Sequence, residues 1–271
     1  KFSRPFSQYG TWNEDRVSKM QSKEEGAHVG GYIEFEPGTE VVEVRIGSSF
    51  IDFEQASENL EKEIPTSVSF EQTKKKVKAV WKSNLDKIQI KGAPDDDATV
   101  FYTAFFRTMQ YPREFSEYGR YYSPFDDKIH KGISYNAYSL WDTFRAQHPW
   151  LQLTQSQRVD DMITALIQMY NEGGWLPKWP NPSYTNIMIG THADAVIADA
   201  YNYDVEKAYE AIRKDAFQAP RDDYRWGDRH YWNGSYEARG GLKEYLDLGY
   251  VAADKTTESV SRTLEFAMDD Y

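Results

Sequence analysis

The 271-residue sequence contains no cysteine. That removes disulfides, thiolate nucleophiles and zinc–thiolate sites together, leaving packing or an oxygen-ligated metal to brace the fold. It does not fix the compartment, because an exported protein can do without disulfides. No run of about 18 apolar residues occurs, so no membrane span is expected. The opening KFSRPFSQYG lacks the apolar core of a signal peptide. Basic excess is missing too: 43 Asp and Glu against 32 Lys and Arg give a net charge of −11. Such a surface repels a polyanion, which argues against nucleic acid as a partner. The sequence holds no G-x-S-x-G, no phosphate-binding Walker loop and no H-E-x-x-H, so esterase, nucleotide-loop and zinc-protease readings lack support.

Aromatic residues are plentiful: 8 Trp, 20 Tyr and 14 Phe, together 15% of the chain. A Tyr or Trp ring offers a flat apolar face and one polar handle, the combination that stacks on a sugar ring and hydrogen-bonds its hydroxyls. Most aromatics nevertheless belong to cores, so position decides.

Residues 1–50 read as β-structure, with Tyr32, Phe35, Val42, Val44 and Ile46 in short apolar alternations on either side of a predicted hairpin turn at Pro37-Gly38. From Asp52 the period changes, and Phe53, Ala56 and Leu60 predict a short helix before Pro65. Downstream the pattern is almost wholly helical. Asp95, Asp96 and Asp97 suit a helix N-terminus better than a metal site. Val159, Met162, Ile163, Leu166, Ile167 and Tyr170 follow helical spacing, and Gly173 and Gly174 supply a stop. Ala193–Ala200 and Val205–Ala216 predict an αα-hairpin. The chain starts abruptly and stops on a periodic helix without a cap, so it is expected to be a piece of a larger protein.

Three aromatic-rich stretches stand out: SLWDTFRAQHPW from Ser139, GGWLPKWPNPSYTNIMIGTHADAV from Gly173 and DRHYWNGSYEARGG from Asp228. In the first, Trp141, Asp142 and Arg145 offer a stacking face beside a carboxylate that can accept from adjacent hydroxyls, although an Asp142–Arg145 pair at a helix end explains them equally well. In the second, prolines stiffen the backbone around Trp175 and Trp179. His192 and Asp194 form a weak metal signal, and a hydrogen-bonded structural histidine is the simpler reading. Among 43 acidic residues no spacing selects a catalytic pair.

At SLWDTFRAQHPW, GGWLPKWP, MIGTHADAVIADAY and SVSRTLEFAMDDY the sequence resembles the bacterial α-mannosidases of glycoside hydrolase family ninety-two, from about Val44 to Tyr271. The resemblance implies a mainly α fold: the C-terminal part of a β-sandwich in 1–50, a helical linker in 51–66 and the N-terminal part of an (α/α)6 toroid in 67–271. It implies calcium-dependent, inverting, exo-acting hydrolysis of α-mannoside glycans in a periplasmic, cell-surface or extracellular bacterial enzyme. Asp142 is then the best candidate for a sugar-hydroxyl ligand, with Trp141, Arg145, Trp175, Trp179 and His192 around it. The family's catalytic acid, base and most calcium ligands belong to blocks C-terminal of Tyr271. No catalytic or metal residue is therefore expected in this chain, which alone is expected to be inactive and to need the missing C-terminal part of the same protein. Two alternatives stay open: another (α/α)6 glycosidase or polysaccharide lyase, and a non-catalytic carbohydrate-binding or interaction module.

Overall fold

A computed structural model describes residues 1–14, 16–219 and 239–271. The chain divides into two compact units, Lys1–Phe70 and Glu71–Tyr271.

In the first unit, strands β1 (Gln8–Asn13), β2 (Arg16–Lys19) and β3 (Val29–Glu34) form an antiparallel sheet of order β2-β1-β3. Gly30 lies opposite Trp12, and a side chain there would collide with the indole ring, so the glycine admits the aromatic. A turn does form at Pro37-Gly38, with Gly38 at φ 86°, but the expected hairpin does not. β3 pairs with β1 instead. Residues 41–46 run beside the N-terminus, with Ser3 donating its N–H to Glu43 O at 2.9 Å and Arg45 to Lys1 O at 2.9 Å. Val41, Val44 and Ile46 are exposed, so their alternation has no buried face to enforce a longer ladder. Helix α1 (Phe53–Glu63) begins where expected, because the Asp52 carboxylate accepts the Gln55 N–H at 2.6 Å.

The second unit is built mainly on helices, with α2 spanning Phe70–Leu85 at its boundary and α3 spanning Asp95–Thr108. The acidic triplet does open α3. A stretch read as helical holds four short strands: β4 (Arg113–Glu114), β5 (Arg120–Ser123), β6 (Lys128–Lys131) and β7 (Tyr135–Asn136), paired β5 to β6 and β4 to β7. There follow α4 (Leu140–Thr143), α5 (Gln147–Thr154), α6 (Ser156–Gly173), α7 (Ala193–Ala198), α8 (Val205–Phe217), α9 (Leu242–Leu248) and α10 (Ser259–Asp269). Helix α6 is the centre of the core. Its buried stripe of Val159, Met162, Ile163, Leu166, Ile167 and Tyr170 is the one its spacing predicts, and Gly174 ends it at φ 87°. Against it pack α5, α7, α8 and β7. Each such aliphatic side chain contributes about 1.5–3 kcal/mol.

His148 of α5 is buried and stacks at 6.3 Å on Tyr138, and neither ring nitrogen has a hydrogen-bond partner among the described residues. Burial pushes its pKa down to about 4. The unfolded chain takes up this proton near its ordinary pKa of about 6.5, so stability held by neutral His148 is full above that pH and is lost as the pH falls toward 4. His148→Phe is expected to flatten the acid-side decline of unfolding free energy by up to about 3 kcal/mol, measured by urea unfolding between about pH 7 and 4. An unchanged pH slope would remove His148 as its source.

Candidate active site

The helix α4 is only one turn long, and Trp141 and Asp142 on it, with Arg145 just beyond it, point to different partners. Asp142 is exposed. Its Oδ2 accepts the Ser139 hydroxyl at 2.5 Å, and Ser139 Oγ in turn accepts the Trp179 indole N–H at 2.7 Å. Trp179 comes from the proline-rich loop after α6, where Thr185 donates its hydroxyl to Trp179 O at 2.6 Å. Ser139 therefore ties the half-buried Trp179 ring to the Asp142 carboxylate. Asp142 Oδ1 has no protein partner among the described residues, as suits an acceptor offered to a ligand.

Trp141 and Arg145 turn to α10. Glu265 Oε1 accepts the Trp141 indole N–H at 3.1 Å and an Arg145 Nη2–H at 3.4 Å, and Arg145 also donates to Trp141 O at 2.8 Å. The alternative Asp142–Arg145 pair does not form, because Asp142 takes the Ser139 hydroxyl and Arg145 takes Glu265 and the Trp141 carbonyl. The Arg145 guanidinium lies 4.4 Å from the Phe144 ring centroid, and the opposite partner of Phe144 is the His192 imidazole, stacked at 4.3 Å and 13°.

His192, immediately before α7, is 1% exposed and lies between two carboxylates of α10. Nε2 is 3.2 Å from Glu265 Oε2 and Nδ1 is 2.8 Å from Asp269 Oδ1, close polar contacts that fall short of formed hydrogen bonds. Glu265 and Asp269 stand at i and i+4, one face of the helix. Asp269 Oδ2 accepts the Thr191 N–H at 2.7 Å, and the Thr191 hydroxyl, 2.8 Å from Asp194 Oδ2 and 3.1 Å from Asp269 Oδ2, has one hydrogen to give between the two. Beyond it, the buried Arg239 donates Nη1 to Asp270 Oδ1 at 2.5 Å and Nε to Thr191 Oγ1 at 3.3 Å, with Nη2 3.7 Å from Asp194 Oδ2. Burial first, then the nearby Asp269 charge, pushes the Asp194 carboxyl well above its usual range, against the opposing Arg239 charge and Thr191 hydrogen bond.

Two sequence expectations change. Trp175 is 2% exposed, packed with Phe125 and Tyr184 and covered by the Lys214 ammonium 4.4 Å from its ring. It braces the loop from behind and presents no face to a ligand. His192, 1% exposed, likewise has no surface to offer a ligand. Glu265, Asp269 and Arg239 were not singled out by sequence reasoning. The available signal was the i, i+4 acidic pair in TLEFAMDD. The third aromatic stretch falls largely outside the described residues. Among the described residues no group of three or more His, Asp or Glu side chains could hold a metal, and the buried carboxylates Asp194, Glu265 and Asp269 face Arg, His, Thr and Trp groups. They do not fit a calcium site.

Residues 55–271 match the model of the glycosyl hydrolase family 92 catalytic domain. The chain belongs to that family. It is 32% identical, with a TM-score of 0.90, to a solved inverting mannosidase of family GH92 from Bacteroides thetaiotaomicron, covering all of this chain and 37% of that one. A family GH92 α-mannosidase from the same organism superposes with a TM-score of 0.78 at 26% identity, covering all of this chain and 36% of that one, and was also solved with mannoimidazole. An uncharacterized secreted glycosidase of Arthroderma benhamiae is 31% identical over 89% of this chain and 29% of its own length. The chain thus spans about a third of the proteins it matches. It is mainly helical, its helices belonging to the (α/α)6 toroid of this family, which sets aside a polysaccharide lyase or another glycosidase family. Among the described residues no helix is long and apolar enough to cross a membrane.

Asp194 gives a test of the buried network. With its folded pKa raised, its contribution to stability is fully present below the unfolded carboxyl pKa of about 3.9 and is lost as the pH rises through that value toward the folded one. The stability of Asp194→Asn relative to the parent is therefore expected to improve as the pH rises from about 4 to 7, followed by thermal unfolding. A difference independent of pH would show Asp194 ionised as readily folded as unfolded.

Proposed function

We propose that the full-length protein carrying this chain is an exo-acting α-mannosidase that inverts at the anomeric carbon and acts on terminal α-mannosides of glycans. The observation that supports the reading most is the exposed Asp142 carboxylate, held by Ser139 beside the Trp179 ring and one residue from the clamped Trp141. Asp142 accepts hydrogen bonds from sugar hydroxyls and the indole rings supply the apolar faces, so this chain forms one wall of the pocket. Contacts that tighten as the ring flattens toward an oxocarbenium-like state lower the barrier rather than merely bind the sugar.

The reading assigns no catalytic acid or base to this chain, which alone is expected to be inactive. It takes residues 1–50 as the end of a β-sandwich, 51–66 as a linker and 67–271 as the first part of the toroid. Calcium dependence belongs to the same reading, with ligands from outside the described residues and no step here routed through the ion. The similarity to a secreted glycosidase supports an exported, periplasmic or extracellular location.

The test is proton NMR of the first sugar released from an α-mannoside by the full-length protein. β-Mannose as the initial product, lost on chelation of calcium, is expected; α-mannose, or no mannose from folded protein, would overturn the reading. In that protein Asp142→Ala is expected to raise KM, lower kcat and reduce kcat/KM about 10- to 100-fold. Unchanged kinetics would remove Asp142 from the pocket.

A further inference from the structure

Glu265 lies behind the sugar-facing wall rather than in it. Its side chain is 17% exposed, and it belongs to α10, more than a hundred residues along the chain from α4. One carboxylate oxygen takes both the Trp141 indole N–H and the Arg145 guanidinium, while the other faces His192. Between Arg145 and His192 lies the Phe144 ring, stacked on both. Glu265 thus spans the edge of an Arg145–Phe144–His192 stack and joins its two outer layers. His192 is held against Asp269, and Asp269 is anchored by the Thr191 backbone N–H. A short helix of four residues has little rigidity of its own, so its orientation must come from such contacts.

We infer that Glu265 is a positioning residue for the sugar site: it fixes Trp141 and Arg145, and through them the direction in which Asp142 leaves α4. His192 and Asp269 hold Glu265 in place. The inference rests on the mannosidase reading for its substrate but not for the clamp itself. Removing the carboxylate frees the Trp141 indole and leaves the Arg145 guanidinium without its acceptor on α10 and the His192 ring without its neighbour. The site is then present but loosely held, and small displacements of positioning groups cost large factors in rate.

The experiment uses the full-length protein with Glu265→Ala and Glu265→Gln. Fluorine NMR of fluorotryptophan-labelled protein reports the clamp, with the Trp141 signal identified by its loss in Trp141→Phe. Steady-state kinetics on an α-mannoside and the affinity for mannoimidazole report the site. Glu265→Ala is expected to shift the Trp141 signal and weaken mannoimidazole binding about tenfold. It should also reduce kcat/KM at least tenfold, with kcat falling more than KM rises. Glu265→Gln keeps an oxygen acceptor for Trp141 and is expected to restore the Trp141 signal and recover part of kcat. A Trp141 signal unmoved in Glu265→Ala, or a moved signal with parent-like kinetics and affinity, would overturn the inference. If the parent protein neither cleaves α-mannosides nor binds mannoimidazole, the mannosidase reading fails, and the Trp141 signal alone then decides whether Glu265 is the clamp.

Discussion

The second unit depends on a constraint of charge: two carboxylates of one helix, Glu265 and Asp269, must be matched where little water reaches them, and the exposed Asp270 at the helix end is paired beside them. A buried unpaired carboxylate is costly, and each of these is met by groups from other parts of the chain. Trp141 and Arg145 come from the α4 region, Thr191 and His192 precede α7, Arg239 precedes α9, and Tyr245 within α9 donates its hydroxyl to Asp270 at 2.9 Å. No one of these segments could hold its polar groups in this arrangement alone. Helix α10 is therefore a fixed member against which the short α4 and the start of α7 are set.

The consequence for function is a division of labour between exposed and buried groups. Asp142 and Trp179, linked through Ser139, keep polar and aromatic surface available. Glu265, His192, Asp269 and Trp175 are turned inward, and in the proposed site they fix geometry instead of touching a ligand. Such a supporting shell is what a sugar site requires, because discrimination among hydroxyl positions depends on acceptors that do not move.

Much of the fold was legible because period and punctuation agreed. The apolar stripe of α6 and its Gly173-Gly174 stop named that helix completely, Asp52 announced α1, and the acidic triplet marked the start of α3. The strands between Arg113 and Asn136 were missed because they are two to four residues long, too short for alternation to emerge. The supposed partner of β3 failed for a different reason: Val44 and Ile46 alternate, but nothing covers them. The cluster around Asp142, Trp141 and Arg145 drew attention by its chemistry, whereas Trp175 was misplaced because an aromatic beside prolines looks the same facing in or out. Glu265 and Asp269 were invisible as site residues, since their meaning comes from His192, seventy-odd positions away in sequence.

The most direct test of the account is the crystal structure of the full-length protein bound to mannoimidazole. The account predicts an Asp142 oxygen within about 3 Å of ring hydroxyls, the Trp179 ring beside the sugar, and Trp141 still donating to Glu265 with His192 behind it. An inhibitor bound away from α4, or a bound sugar that Asp142 does not touch, would contradict it.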